Sequence, residues 1–178
     1  MKLLEHKLTN DILFKMLFVK YPELLKKLVA VLLGIPLESI TEFALTNPEI
    51  PPEALGEKFC RLDINMLVNN QRVDLEVQVA DEGDYPERSL YYWARDFSSA
   101  LGEGNHYSTL PRTVVVSIVA YDLFPDYDGF HSEYEVLEVR RHTRLTDKQS
   151  LHYFELTKIP QEIGAESKQE LWLSLFAA

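Results

Sequence analysis

Cysteine is almost missing from this chain: Cys60 is the only one among 178 residues. That excludes an intrachain disulfide and a thiolate zinc cluster, and leaves Cys60 to read as a small hydrophobe rather than a nucleophile. Basic residues are scarce too. Eighteen Lys and Arg face 28 Asp and Glu, for a net charge of −10, which argues against a broad positive surface of the kind that supplies nonspecific affinity for nucleic acid. No run of about 18 apolar residues exists, so no membrane-spanning helix is expected. The start Met1-Lys-Leu-Leu-Glu-His6 lacks the apolar core and cleavage site of a signal peptide. A soluble, cytoplasmic chain without a membrane partner follows as the expectation. The histidines at 6, 106, 131, 142 and 152 include no His-x-x-x-His pair, and Gly-rich phosphate loops and nucleophile-elbow serines are absent, so zinc hydrolases, P-loop enzymes and serine hydrolases fall away.

What is present suffices for one core. Hydrophobic residues make up 46% of the chain, and no internal repeat or composition shift marks a second domain. The expected organisation is a single domain over 1–160 and a tail over 161–178, with a loose helix in its last 15 or so residues.

The richest stretch is Arg61-Leu-Asp-Ile-Asn-Met-Leu-Val-Asn-Asn-Gln-Arg-Val-Asp-Leu-Glu-Val-Gln-Val79. Leu62, Ile64, Met66 and Val68 share one side of the first run and leave Asp63 and Asn65 on the other. In the second run Val73, Leu75, Val77 and Val79 leave Asp74, Glu76 and Gln78. Two strands follow, each with one face in a core. A turn centred on Asn70 and Gln71 gives antiparallel partners whose positions sum to about 141. Asp63 then faces Gln78, Asn65 faces Glu76, and the two carboxylates Asp63 and Glu76 sit diagonally within reach of one ion. A one-residue slip would mix apolar and polar groups on both faces. The same alternation also describes a hairpin whose outer face is simply polar.

Helices are expected on either side of this hairpin. Thr9, Asn10 and Asp11 offer an N-cap before Ile12–Phe18. Pro22 opens a second helix with Leu24, Leu25, Leu28, Val31 and Leu32 on one side, ended by Gly34-Ile-Pro36. After the hairpin, Pro86 suits a first turn and a helix runs from about Glu87 to Leu101. Its stripe of Leu90, Trp93, Ala94, Phe97 and Leu101 is expected to pack, with Arg88, Tyr91, Tyr92 and Arg95 on nearly the opposite side. Thr113 to Ala120 is nearly all apolar, as in a central strand covered on both faces. Further strands are expected near Glu133–Val139 and Leu151–Leu156, and Asn47-Pro-Glu-Ile-Pro-Pro52 reads as an extended link near the sheet edge. The order of these elements predicts an α/β fold, a mixed central sheet with flanking helices.

Asp63 followed by Glu76-Val77-Gln78 resembles the Asp…Glu-x-Lys/Gln pattern of the PD-(D/E)XK nuclease superfamily. The surrounding set consists of Asp11-Ile-Leu-Phe-Lys15, Lys58, Arg88 with Tyr91-Tyr92, Gly104-Asn-His-Tyr-Ser-Thr-Leu110 and the strand Val114–Val119. With it, the chain resembles the Rpn family of recombination-promoting nucleases, transposases of the PD-(D/E)XK type, from about Asp11 to Phe124. Weaker echoes lie in His152–Leu156 and Trp172. The resemblance implies a restriction-endonuclease-like core, Mg²⁺ or another divalent cation as cofactor, and DNA as partner. Asp63 and Glu76 would be metal ligands with the Val77 carbonyl a third, Gln78 would orient water or phosphate, and Asp11 would be an auxiliary acid. Arg88, Tyr92 and Arg95 would approach nucleic acid, with Lys15 and Lys58 as further cations.

Carboxylates suit such a site because Mg²⁺ takes hard oxygen ligands and keeps several waters. Gln78 stands where the superfamily most often has Lys, and an amide orients but carries no charge. Lys58 lies an odd number of residues from Asp63 and would face the other side of an unbroken strand. Asp11 reads equally as a helix cap, and Lys15, four residues on, shares its face. Relatives in that family are usually longer, which raises an alternative: a noncatalytic, shortened module that binds DNA or a full-length relative as a regulator. A homo-oligomer or such a hetero-complex is the partner expectation beside DNA. Arg140-Arg-His-Thr-Arg144 is a second basic cluster that also reads as a solvated turn.

Overall fold

A computed structural model describes residues 8–47, 64–162, 164 and 167–177. Asp63, Lys58, Cys60 and all but the first residue of the proline-rich link lie outside the described residues, and Asp11 is described in its backbone only. Helices α1 (Asp11–Lys20) and α2 (Pro22–Leu32) come first, then strand β1 (Phe43–Leu45) and the hairpin β2 (Ile64–Val68) and β3 (Gln71–Gln78). Helix α3 (Tyr85–Ser99), strands β4 (Thr113–Val119), β5 (His131–Tyr134) and β6 (Gln149–Glu155), and helix α4 (Lys168–Ala177) complete the order. The six strands form one mixed sheet, β1-β2-β3-β4-β6-β5. β3, β4 and β6 run parallel and the remaining neighbours antiparallel. This is the expected α/β architecture, with β4 buried along its whole length at the centre.

The sheet separates two apolar clusters. On one face Ile64, Met66, Leu75, Val77, Val116 and Phe154 pack under α1, α2 and α4 through Phe14, Phe18, Leu25, Leu28, Leu173 and Phe176. The other face carries a smaller cluster, Tyr85, Val115, Val119, Leu151 and Tyr153, beneath α3. Asn10, rather than Asp11, caps α1: its side chain accepts from Leu13 N at 3.0 Å, leaving Asp11 as the first helical residue. α4 falls in the segment read as a tail, yet Leu173 and Phe176 are buried in the main core. Among the described residues no helix is long and apolar enough to cross a membrane.

The hairpin register differs from the expected one by two. Ile64 pairs with Leu75, Asn65 with Asp74 and Val68 with Gln71, a sum of 139. Asn69 and Asn70 are the turn, both at positive φ (48° and 62°). A two-residue turn with left-handed backbone at both central positions, as here, is one that Asn tolerates and Gln does not. Asn69 also ties the turn to the preceding segment: its side chain accepts from Thr41 N (2.9 Å) and Glu42 N (3.1 Å) and donates to Ser39 O (2.6 Å).

At the opposite edge, β5 is held to β6 by a chain of polar groups. Ser150 Oγ donates to the Glu133 carboxylate at 3.0 Å, so it accepts from His152 Nε2 at 2.9 Å, and His152 Nδ1 accepts from His131 Nε2 at 3.0 Å. Burial drives the His152 pKa down to about 4 against the opposing pull of Glu133, and also lowers that of His131. The unfolded chain takes up this proton from about pH 6.5 downward and the folded chain only near 4. His152 therefore costs nothing above pH 6.5, and stability is lost as pH falls from there toward 4. Urea titrations should give about 2 kcal/mol less stability attributable to this group at pH 5 than at pH 7.5. His152→Gln should flatten that slope; an unchanged slope would mean other groups carry it.

Candidate active site

Alternation along β3 puts Val73, Leu75 and Val77 into the larger core and Asp74, Glu76 and Gln78 under α3. These three polar residues are only 4%, 6% and 8% exposed. A carboxylate is rarely buried without partners to replace water. For Glu76 one is Gln78, whose Nε2 donates to Glu76 Oε2 at 2.9 Å. Gln78 Oε1 in turn accepts from Arg88 Nη2 at 2.8 Å. Arg88, with its side chain 11% exposed, is also bonded to Glu82 and lies 4.9 Å over the Tyr85 ring. Tyr85 is fully buried and donates to Ser117 Oγ at 2.8 Å. Burial first and the charge of Glu76 second push its phenol well above its ordinary pKa, which keeps it a neutral donor.

Beside this chain of contacts opens a polar pocket of about 410 Å³, lined by Asn65, Asp74, Glu76, Tyr92, Arg95, Asp96 and Ser99. Asn65 faces Asp74 across the hairpin. Arg72 is paired with Asp96 and donates to Ser99 Oγ at 3.1 Å, which fixes the C-terminal half of α3 against the start of β3. The packed face of α3 is Tyr85, Arg88, Ser89, Tyr92 and Trp93, whereas Leu90 is half exposed and Ala94 exposed. The helix is thus rotated from the expected stripe. Beside Asp74, Glu76 and Gln78 the helix presents Arg88 and Tyr92, while its Tyr85 and Trp93 meet the apolar cluster of Val115, Val119, Leu151 and Tyr153.

The structure brings Glu76, Gln78 and Arg88 together, and Glu76, Tyr92 and Arg95 around one pocket. Lys15 is buried on α1, beside Phe14 of the main core on the other face of the sheet, and does not line the pocket. Asp74, Asn65 and Asp96 are lining residues that the sequence reading does not assign to the site, although alternation places both Asn65 and Asp74 on the Glu76 face. In the Arg140–Arg144 cluster, Arg141 and Arg144 pair with Glu138 and Glu135.

The Val77 carbonyl has a definite direction. Gln78 O accepts from Ala120 N at 2.8 Å, on the β4 side, and successive residues of a strand point their backbone groups to opposite sides. The Val77 carbonyl therefore points toward the β2 side. Among the described residues no group of three or more His, Cys, Asp and Glu side chains is placed to hold a metal ion. The donor set is nonetheless all oxygen, and a hard cation such as Mg²⁺ is usually held by only one or two carboxylates. The chemistry of the residues fits such an ion.

No curated protein and no solved structure matches the chain. The family model described as PD-(D/E)XK nuclease family transposase matches residues 8–178. Two acidic side chains and an amide, buried on alternate positions of one strand beneath an arginine-bearing helix, lie within the matched residues. The chain belongs to the PD-(D/E)XK nuclease family of transposases.

Proposed function

We propose that the protein is a divalent-metal-dependent DNA endonuclease of the recombination-promoting, Rpn type. The observation that carries the reading is the pocket itself: Asp74 and Glu76 buried at its floor with Tyr92 and Arg95 on its wall, in a chain of nuclease family. Glu76, the Val77 carbonyl and Asp63 would hold the ion. Asp63 precedes the first described residue of the hairpin, Ile64, in the sequence. When bound, Mg²⁺ supplies Lewis acidity toward the phosphate and a more acidic water. The chain supplies the rest. Gln78, clamped between Glu76 and Arg88, keeps the carboxylate aimed. Arg95 and Tyr92 offer a cation and a hydroxyl to a phosphate in the pocket, contacts that position a backbone without reading sequence. Asp11 remains the auxiliary acid of this proposal.

Net charge of −10 predicts that the affinity for DNA depends on the metal, because the ion offsets carboxylates that would otherwise repel phosphate. Calorimetric titration with Mn²⁺ tests the ligand set without reference to cleavage. Wild type should bind, and Asp63→Ala and Glu76→Gln should each weaken binding by about tenfold or more, comparable to losing a group that orients a ligand. Equal binding by all three would contradict the assignment. A stable complex with a longer relative, and no metal uptake, would favour the noncatalytic regulator instead.

A further inference from the structure

The orientation of the Gln78 amide follows from the chemistry of its neighbours. A guanidinium only donates and a carboxylate only accepts. The end of Gln78 at 2.8 Å from Arg88 Nη2 must therefore be the carbonyl, and the end at 2.9 Å from Glu76 Oε2 the NH₂. A positive charge on an amide oxygen draws electron density from its nitrogen and makes the N–H a stronger donor. The charge of Arg88 is thus felt at Glu76 through Gln78. Arg88 is itself held in place from three sides, by Glu82, by Gln78 and by the face of Tyr85, whose hydroxyl is anchored on Ser117. Its side chain is 11% exposed, whereas Arg95 on the same helix is exposed.

We propose, resting on the nuclease reading above, that Arg88 is the positioning residue of the site: it orients the Gln78–Glu76 pair and delivers from α3 the positive charge that position 78 does not carry. Arg88 acts through Gln78 and does not hold the substrate, which leaves substrate phosphate to Arg95 and Tyr92. Side chain 78 and helix α3 therefore divide between them what a single lysine would do at the end of β3.

The test separates positioning from phosphate binding and from the nuclease reading. Metal-dependent plasmid cleavage is measured for wild type, Arg88→Ala, Arg88→Lys, and Arg88→Ala combined with Gln78→Lys. Arg88→Ala should lower kcat about tenfold or more with KM for DNA changed less than about twofold, the pattern of an interaction that acts on the chemical step. Adding Gln78→Lys to it should restore kcat to within about threefold of wild type, because the charge returns to the same place by another route. A raised KM with kcat preserved, or no rescue, overturns the proposal. Arg88→Lys, which keeps charge and stem but loses the fork, serves in the same comparison if Arg88→Ala fails to fold, with an intermediate kcat expected and a wild-type kcat contradicting the need for the fork. Side-chain amide NMR gives a second readout that needs no cleavage. The Gln78 NH₂ protons should exchange with water about tenfold faster in the Arg88 variants than in wild type. If wild type cuts nothing, the nuclease reading falls and the amide signal alone decides: unchanged Gln78 exchange overturns the positioning role, and accelerated exchange upholds it.

Discussion

Glu76→Gln is expected to lower metal-dependent DNA cleavage by on the order of a hundredfold or more, the scale seen when one preorganised electrostatic contact is deleted, while the protein stays folded. The substitution preserves shape. The new amide can still accept from Gln78 Nε2 through its own carbonyl, so the bond at 2.9 Å has a replacement, and only the negative charge is removed. That charge is 6% exposed on the floor of the pocket and raises the cost of folding rather than lowering it. The melting temperature should therefore hold or rise while activity is lost. Steady-state cleavage and a thermal scan of the same preparation decide it. Activity within about threefold of wild type, in line with a neutral surface change, would remove Glu76 from the metal site.

Phe176→Ala is expected to be the most damaging change outside the site, costing about 3–5 kcal/mol. Phe176 is buried against Phe14 and Phe18, with ring centroids 5.8 and 6.5 Å away, so truncation leaves a cavity where α4 meets α1. For a chain of this size that corresponds to a drop in melting temperature on the order of 10 °C. Leu175→Ala, one residue away but half exposed, should cost no more than about 0.5 kcal/mol. Similar small effects at both positions would mean that α4 is not docked in the core.

The sequence was legible where a pattern had one reading. Alternation in Ile64–Val68 and Gln71–Gln78 assigned the buried face of the hairpin and the polar face beneath α3, and the unbroken apolar run of Thr113–Val119 marked the central strand. Alternation is indifferent to a shift of two, however, and only the turn chemistry of Asn69 and Asn70 selects 139 over 141. The phase of α3 was lost for a different reason. Helix faces are usually found by apolar content, but part of this one lies beside Asp74, Glu76 and Gln78, so Arg88 and Tyr92 turn inward there while Tyr85 and Trp93 meet the apolar cluster and Ser89 bonds Tyr153. α4 has apolar residues on every side, Leu171, Trp172, Leu173, Leu175 and Phe176, and gives no periodic signal of which side docks. β1, three residues long at the sheet edge, is too short to register as alternation. Within the site, the Glu76-x-Gln78 pair stood out from spacing. Its link to Arg88, ten residues later, depends on how α3 returns over the sheet and has no signature in the strand.

Supercoiled-plasmid nicking by wild-type protein with Mg²⁺, Mn²⁺, Ca²⁺ or EDTA tests the central claim most directly, with Asp63→Ala run beside it. The proposed site predicts nicking that requires Mg²⁺ or Mn²⁺, stops in EDTA and is lost in the variant. Folded wild-type protein that leaves the plasmid intact under every metal, or nicking that persists in EDTA or in Asp63→Ala, would contradict it.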